Sequence, residues 1–217
     1  WKQLDMVFSN NLLFGAAAAT SGGGAFDTTL IPNSVWLDGS ADFLSAELGA
    51  KTRTKAVIGT WFQRTNSTAV QTTIFSKKGT GSVSRFALAH TGNVLTIFDF
   101  DGSSFQYEAT GTMALRDIGW YHIMISIDTT ASAGSRLKLF INGIDQTSTL
   151  SVSPDYTASD NPSITGASGG PTQWGMGPNG STQLWNGYLA QSFMLDDDSI
   201  QNSDVAVSDI LDSFTYG

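Results

Sequence analysis

Apolar and polar residues alternate with period two along much of the chain, most regularly between residues 118 and 150. Over residues 120–128 the odd positions Tyr121, Ile123, Ile125 and Ile127 are apolar, while His122, Ser126 and Asp128 fall on the even side. Over residues 136–142 the odd positions Leu137, Leu139 and Ile141 are again apolar, opposite Arg136 and Lys138. A strand with one buried face produces this pattern. Asn142-Gly143 between Ile141 and Ile144 signals a type I′ hairpin, whose two central residues both need positive φ. With a polar, glycine-containing loop at 129–135, the stretch predicts three consecutive antiparallel strands. Tyr121, Ile123, Ile125 and Ile127 should face Leu137, Leu139 and Ile141 in a sheet interior.

The same punctuation continues on both sides. Residues 34–44 predict a strand, a tight turn at Asp38-Gly39 and the start of a second strand. Residues 55–64 form a long strand that is apolar on both faces near its middle, which predicts a central position. A meander follows, with strands at 72–76, 85–89, 94–100 and 104–109 separated by a glycine-rich loop and by turns at Thr91-Gly92-Asn93 and Asp101-Gly102. Residues 151–180, rich in Ser, Pro, Gly, Asp and Asn, predict a long surface excursion with a short strand at 174–177, and loops of that length are usually functional or disordered. Residues 185–195 are the last core strand, with Trp185, Leu189, Phe193 and Leu195 expected on one face. Ten to twelve short strands in 217 residues predict an all-β fold, a two-sheet antiparallel jelly-roll sandwich. The sandwich is expected over residues 34–195, preceded by an N-terminal arm at 1–33 and followed by an acidic tail at 196–217. Ser21-Gly22-Gly23-Gly24 breaks the arm. Its apolar residues Phe8, Leu12, Leu13 and Phe14 would be costly to leave in water, and we assign them to assembly with a partner chain.

Composition narrows the chemistry. The absence of cysteine excludes thiol catalysis and cysteine-based zinc sites. A net charge of −8 argues against nucleic-acid binding by phosphate neutralisation. The longest apolar runs fall far short of the ~20 residues of a membrane helix, so no membrane insertion is expected. LLFGAAAA at 12–19 faintly resembles a signal-peptide core, but Ser9-Asn10-Asn11 precede it with only Lys2 upstream, and Met6 is a natural start. Charge is also segregated. Residues 48–98 carry seven bases and no acid, and residues 139–217 carry nine Asp and no base. Two solvated faces explain this, and so does head-to-tail packing of neighbouring copies.

Several segments together resemble a known family. Trp120-Tyr121-His122-Ile123 followed by Asp128, the strand Leu137-Lys138-Leu139-Phe140-Ile141-Asn142-Gly143, then Gly175 and Gly177, and finally Trp185-Asn186-Gly187-Tyr188-Leu189 resemble the laminin-G-like, concanavalin-like domains in order and spacing. The resemblance covers about residues 34–195 and implies a jelly roll of two antiparallel sheets. SNNLLFGAAAA at 9–19, the glycine-rich break and WLDGSADFLS at 36–45 resemble the start of virion proteins of tailed bacteriophages, often tail or fibre components. Such folds include lectins, glycosidases and structural modules, so the site must decide function.

Retaining hydrolysis needs two carboxyls ~5–5.5 Å apart, which this fold usually supplies as two Glu on one strand. The chain has two Glu, Glu47 and Glu108, in different strands, and the Asp99/Asp101 pair abuts a turn that explains it. His90 and His122 have no second histidine or cysteine near them and are read as structural. The family resemblance makes a calcium ion at a sandwich rim worth testing. Asp155, Asp160 and Asn161, or Asp196-Asp197-Asp198, are the candidate oxygen donors. For sugar, an exposed aromatic should stack on a ring while amides and carboxylates take the hydroxyls. Trp174 with Gln173 and Asn179 is the first candidate, and Tyr156 beside Asp155 the second. The reading that follows is a non-catalytic structural protein of a virion, in a tail, fibre or capsid-decorating position. Its expected partners are other copies, other virion proteins and host-surface polysaccharide. The alternative is a secreted carbohydrate-binding lectin module, with a glycosidase a distant third.

Overall fold

The computed structural model describes residues 34–46, 53–65, 71–78, 85–113, 119–164, 170–178 and 183–195. The expected arm (with Phe8, Leu12, Leu13 and Phe14), the expected tail (with Asp196-Asp197-Asp198), Glu47 and Asn179 lie outside the described residues. The described chain is all β apart from a single 3-10 turn at Thr147–Thr149. Its strands are β1 (Val35–Asp38), β2 (Leu44–Ala46), β3 (Lys55–Arg64), β4 (Thr72–Lys78), β5 (Arg85–Thr91), β6 (Val94–Phe100), β7 (Phe105–Thr112), β8 (Tyr121–Asp128), β9 (Leu137–Ile141), β10 (Ile144–Asp145), β11 (Ser151–Val152), β12 (Thr172–Trp174) and β13 (Asn186–Leu195). They make two antiparallel sheets, ordered β1-β13-β3-β8-β9-β10 and β11-β7-β6-β5-β4-β12-β2. This is the two-sheet sandwich predicted from the alternation.

The registers show why these residues form these sheets. Ile123 pairs with Ile141, Ile125 with Leu139 and Ile127 with Leu137, so the odd positions of β8 and β9 form one inward surface. Across β3, Phe62, Ile58 and Ala56 continue the same rows against Tyr121, Ile125 and Ile127. From the other sheet Trp174, Phe75, Leu88, Ile97 and Ala109 occupy one inward row. All of these close one core. Asn142 and Gly143 take φ of +51° and +77° and close the β9–β10 hairpin. Asn142 Oδ1 also accepts the His122 N–H at 2.8 Å, which ties the turn back to β8. As predicted, β3 is central, between β13 and β8.

The strand, turn and second strand predicted over 34–44 are present, and because β1 pairs with β13 in one sheet and β2 with β12 in the other, the turn at Asp38-Gly39 carries the chain between layers. Two expectations need correction. The even side of β8 is not a solvated face. His122 is 1% exposed, with the Trp61 ring 5.2 Å from its own, and Met124 is 0% exposed in a second apolar cluster that Val57, Phe140, Phe193 and Leu195 build on the outside of the six-stranded sheet. Finally, Leu189 does not share a face with Phe193 and Leu195. A register shift between Ala190 and Phe193 reverses the parity of β13, so Leu189 points into the core and the last two pack outside.

Candidate functional site

One side of the sandwich is left open by short strands. β10 and β11 have two residues each and edge their respective sheets. The chain crosses from one to the other through the turn Thr147–Thr149, then runs through residues 153–164 beside β7. A cleft of about 460 Å³ lies between these elements. Leu137, Leu150 and Val152 supply aliphatic surface with Tyr107 behind them, and Lys138, Asp145, Thr147, Ser148, Ser135 and Asp155 supply polar groups.

Each rim group is held by a local bond. Asp145 Oδ1 accepts the Thr147 N–H at 2.8 Å, and Thr147 Oγ1 accepts the Leu139 N–H at 3.0 Å. The Thr147 hydroxyl bonded to the Asp145 carboxyl, with Lys138 nearby, holds that carboxyl below its usual range. Asp155 Oδ2 accepts the Gly134 N–H at 2.8 Å and lies 3.6 Å from Arg136 Nη1. Arg136 in turn donates to the carbonyls of Ala131 and Tyr156. The wall carrying Asp155 is anchored from inside. Tyr156 stacks on Tyr107 with centroids 4.9 Å apart, and its hydroxyl donates to Asp99 Oδ2 at 2.9 Å. Asp99 Oδ2 also accepts the Ser163 N–H at 2.8 Å. Burial pushes the Asp99 carboxyl up to about 6 despite the bonds from Ser163 and Tyr156 that favour its ionised form.

Only part of the predicted site is here. Asp155 lines the cleft, but Trp174 and Tyr156 are each 1% exposed and are core residues, so neither ring can stack on a sugar. Trp174 meets Phe75 edge to face at 5.2 Å. Gln173 is its neighbour on a strand, therefore points to the opposite face, and is itself only 7% exposed. The predicted Trp174–Gln173 partnership fails for that reason. The candidate calcium donors are already engaged: Asp155 with Gly134 and Arg136, and Asp160 with the amide and hydroxyl of Thr157 at 2.7 and 2.6 Å. Asn161 is exposed beside them. Among the described residues no three His, Cys, Asp or Glu side chains converge as a metal site. His90 lies 2.9 Å from Thr72 Oγ1 and edge-on to Trp185, and His122 lies against Trp61 at 5.2 Å. Both are away from the cleft. Asp101 accepts the N–H groups of Ser103 and Ser104 at the predicted turn, whereas Asp99 is buried, so the two do not act as a pair. Lys138, Asp145 and Thr147 escaped the sequence reading. Their signal was Asp145-Gln146-Thr147 just past the hairpin, a short carboxylate-to-amide turn that fixes both side chains.

A comparison with curated protein sequences found no match. Among solved structures, domain 4 of AbnA, an extracellular arabinanase from Geobacillus stearothermophilus in complex with arabinotriose, is 16% identical with a TM-score of 0.57. The match covers 83% of this chain and 75% of that one. A heptameric pentraxin from Limulus polyphemus is 12% identical with a TM-score of 0.55, covering 82% and 79%. Domains LG4-5 of the mouse laminin α1 chain are 13% identical with a TM-score of 0.53, covering 81% of this chain and 45% of that one. At such identities the likeness establishes the fold. The family is shown by sequence: residues 38–193 match the laminin-G-type model described as the concanavalin A-like lectin/glucanases superfamily. The chain belongs to that superfamily.

Proposed function

We propose that the chain is a non-catalytic carbohydrate-binding module that holds a glycan in the cleft between β9–β10 and β7–β11. The observation that carries this is the cleft's composition. Fixed carboxylates, a lysine and hydroxyls converge over aliphatic surface, matching a sugar's ring of hydroxyls over C–H faces. Likeness of fold to an arabinanase domain solved with arabinotriose supports the same ligand class by analogy. Hydrolysis is disfavoured by the same geometry. A general acid needs a raised pKa, whereas Asp145 is held low by Thr147 and Asp155 is occupied by Gly134 and Arg136. On a glycan array the labelled chain should bind a defined subset. The double variant Lys138→Ala/Asp145→Asn should bind it about tenfold more weakly, the loss expected from one or two charge-assisted bonds. Undiminished binding by that variant would remove the cleft from the account.

A second reading concerns where this binding occurs. The likeness of residues 9–19 and 36–45 to the start of tailed-phage virion proteins favours a particle-bound role in tail, fibre or decoration, with residues 1–33 as the assembly contact. Light scattering after size-exclusion should then find an oligomer for the full chain and a folded monomer for residues 34–217. Identical oligomers from both would end this reading.

A further inference from the structure

The outward side of the six-stranded sheet carries a second arrangement, well away from the cleft. Trp36 on β1 stands opposite Tyr188 on β13, and Tyr188 opposite Gln63 on β3. Phe62 pairs with Tyr121, so Trp120 continues the Gln63 row at the start of β8. At the spacing of neighbouring strands these four positions span about 14 Å. Trp36 is 55% exposed, and Tyr188, Gln63 and Trp120 are half-buried. The Tyr188 and Trp120 rings approach to 6.2 Å at 48°, leaning towards each other over the strand that carries Gln63.

The core does not require these rings outside. Their strand neighbours Leu37, Leu189 and Phe62 already fill the inner face and are almost fully buried. A half-exposed tryptophan beside a tyrosine, on the strand that edges the sheet among the described residues, is a surface with a ligand to meet. The row holds no charged side chain, and the chain carries −8, so it neither attracts nor neutralises an anion. In the next outward row Ala190 and His122 are buried and only Trp61 is partly exposed, so the patch is small beside the roughly 800 Å² each partner contributes to a stable protein interface. What fits is a thin, uncharged, extended ligand with flat apolar faces and edge hydroxyls.

We propose that Trp36, Tyr188 and Trp120, with Gln63 between them, form a second carbohydrate site, which takes an extended neutral polysaccharide with sugar rings laid on Trp36 and Tyr188. The ligand class is shared with the cleft reading, but the residues are not, so either site can stand without the other. Two sites on one chain also raise the avidity for a long polymer without any new contact.

Affinity electrophoresis of the full chain through native gels containing galactomannan, a β-glucan or heparin tests this. At least one neutral polysaccharide should retard the wild type, and heparin should not. Trp36→Ala should weaken the retardation about tenfold, the loss of one anchoring ring, and Trp36→Phe should keep most of it. Both should melt with the wild type, since Trp36 is outside the core. On the same gels Lys138→Ala/Asp145→Asn should weaken the retardation through the cleft, and combining it with Trp36→Ala should weaken it further. Equal retardation of Trp36→Ala and wild type overturns the row, as does retardation by heparin alone or by no polysaccharide. Self-association abolished by Trp36→Ala, without retardation, would assign the row to a second copy and overturn it too. Loss in the cleft variant alone would leave the cleft and remove the row. Loss in Trp36→Ala alone would uphold the row and count against the cleft.

Discussion

Gly187→Ala is expected to lose a large share of the protein's stability. Gly187 sits at φ +151°, opposite Leu37 on one side and Arg64 on the other. A Cβ there would lie 2.1 Å from the Gln63 carbonyl oxygen and 2.9 Å from the Arg64 Cα, both main-chain atoms of the central strand β3. Neither can yield without breaking the β3–β13 ladder. Backbone strain of ~1–3 kcal/mol adds to overpacking of ~1–3 kcal/mol, or roughly 2–6 kcal/mol together. That is a large share of the ~5–15 kcal/mol by which domains are stable. Urea titration followed by tryptophan fluorescence should show a midpoint far below wild type, or no folded baseline. A variant with the wild-type midpoint would mean the backbone at this glycine is not as described. The result would also give the Trp185-Asn186-Gly187-Tyr188-Leu189 segment a physical meaning: its glycine lets two strands approach.

The second large effect is on pH. The Asp99 carboxyl is raised by burial to about 6 from 3.8, so its contribution to stability is complete below 3.8 and is lost as pH rises through 6. His122 is lowered by burial to about 4 from 6.5, so its contribution is complete above 6.5 and is lost as pH falls through 4. Each shift is worth about 3 kcal/mol, and over pH 4–6.5 the two act in opposite directions. Asp99→Asn leaves His122 unopposed. Between pH 6.5 and 4 that variant should lose about 2 kcal/mol more than wild type, read from urea midpoints at each pH. Parallel profiles would mean that Asp99 is ionised in the fold at no cost.

Legibility in the sequence followed the range of the interactions. The inward face and turn of the β8–β9–β10 hairpins are readable in the sequence, because isoleucines at every second position and an Asn-Gly turn are local signals that agree with the tertiary register. The parity of β13 is not. Gln191 at φ +46° within the shifted stretch changes which residues face inward, and nothing nearby in the sequence marks it. His122 seemed solvated because Phe193 and Leu195, which help cover its side of the sheet, arrive from seventy residues later. Trp174 failed as a sugar platform because a polar, glycine-rich neighbourhood suggested an exposed loop, whereas β12 inserts between β4 and β2 and turns the indole inward. The cleft itself arises where two sheets end in two-residue strands, a property of topology that no single segment contains.

The central claim is that the cleft binds carbohydrate. Chemical-shift mapping of the labelled full chain against a neutral oligosaccharide that it retains on an array tests it most directly. Saturable shifts at the amides of Gly134, Lys138, Thr147 and Ser148, residues that line the cleft, are predicted. Saturation with those amides unmoved would contradict it.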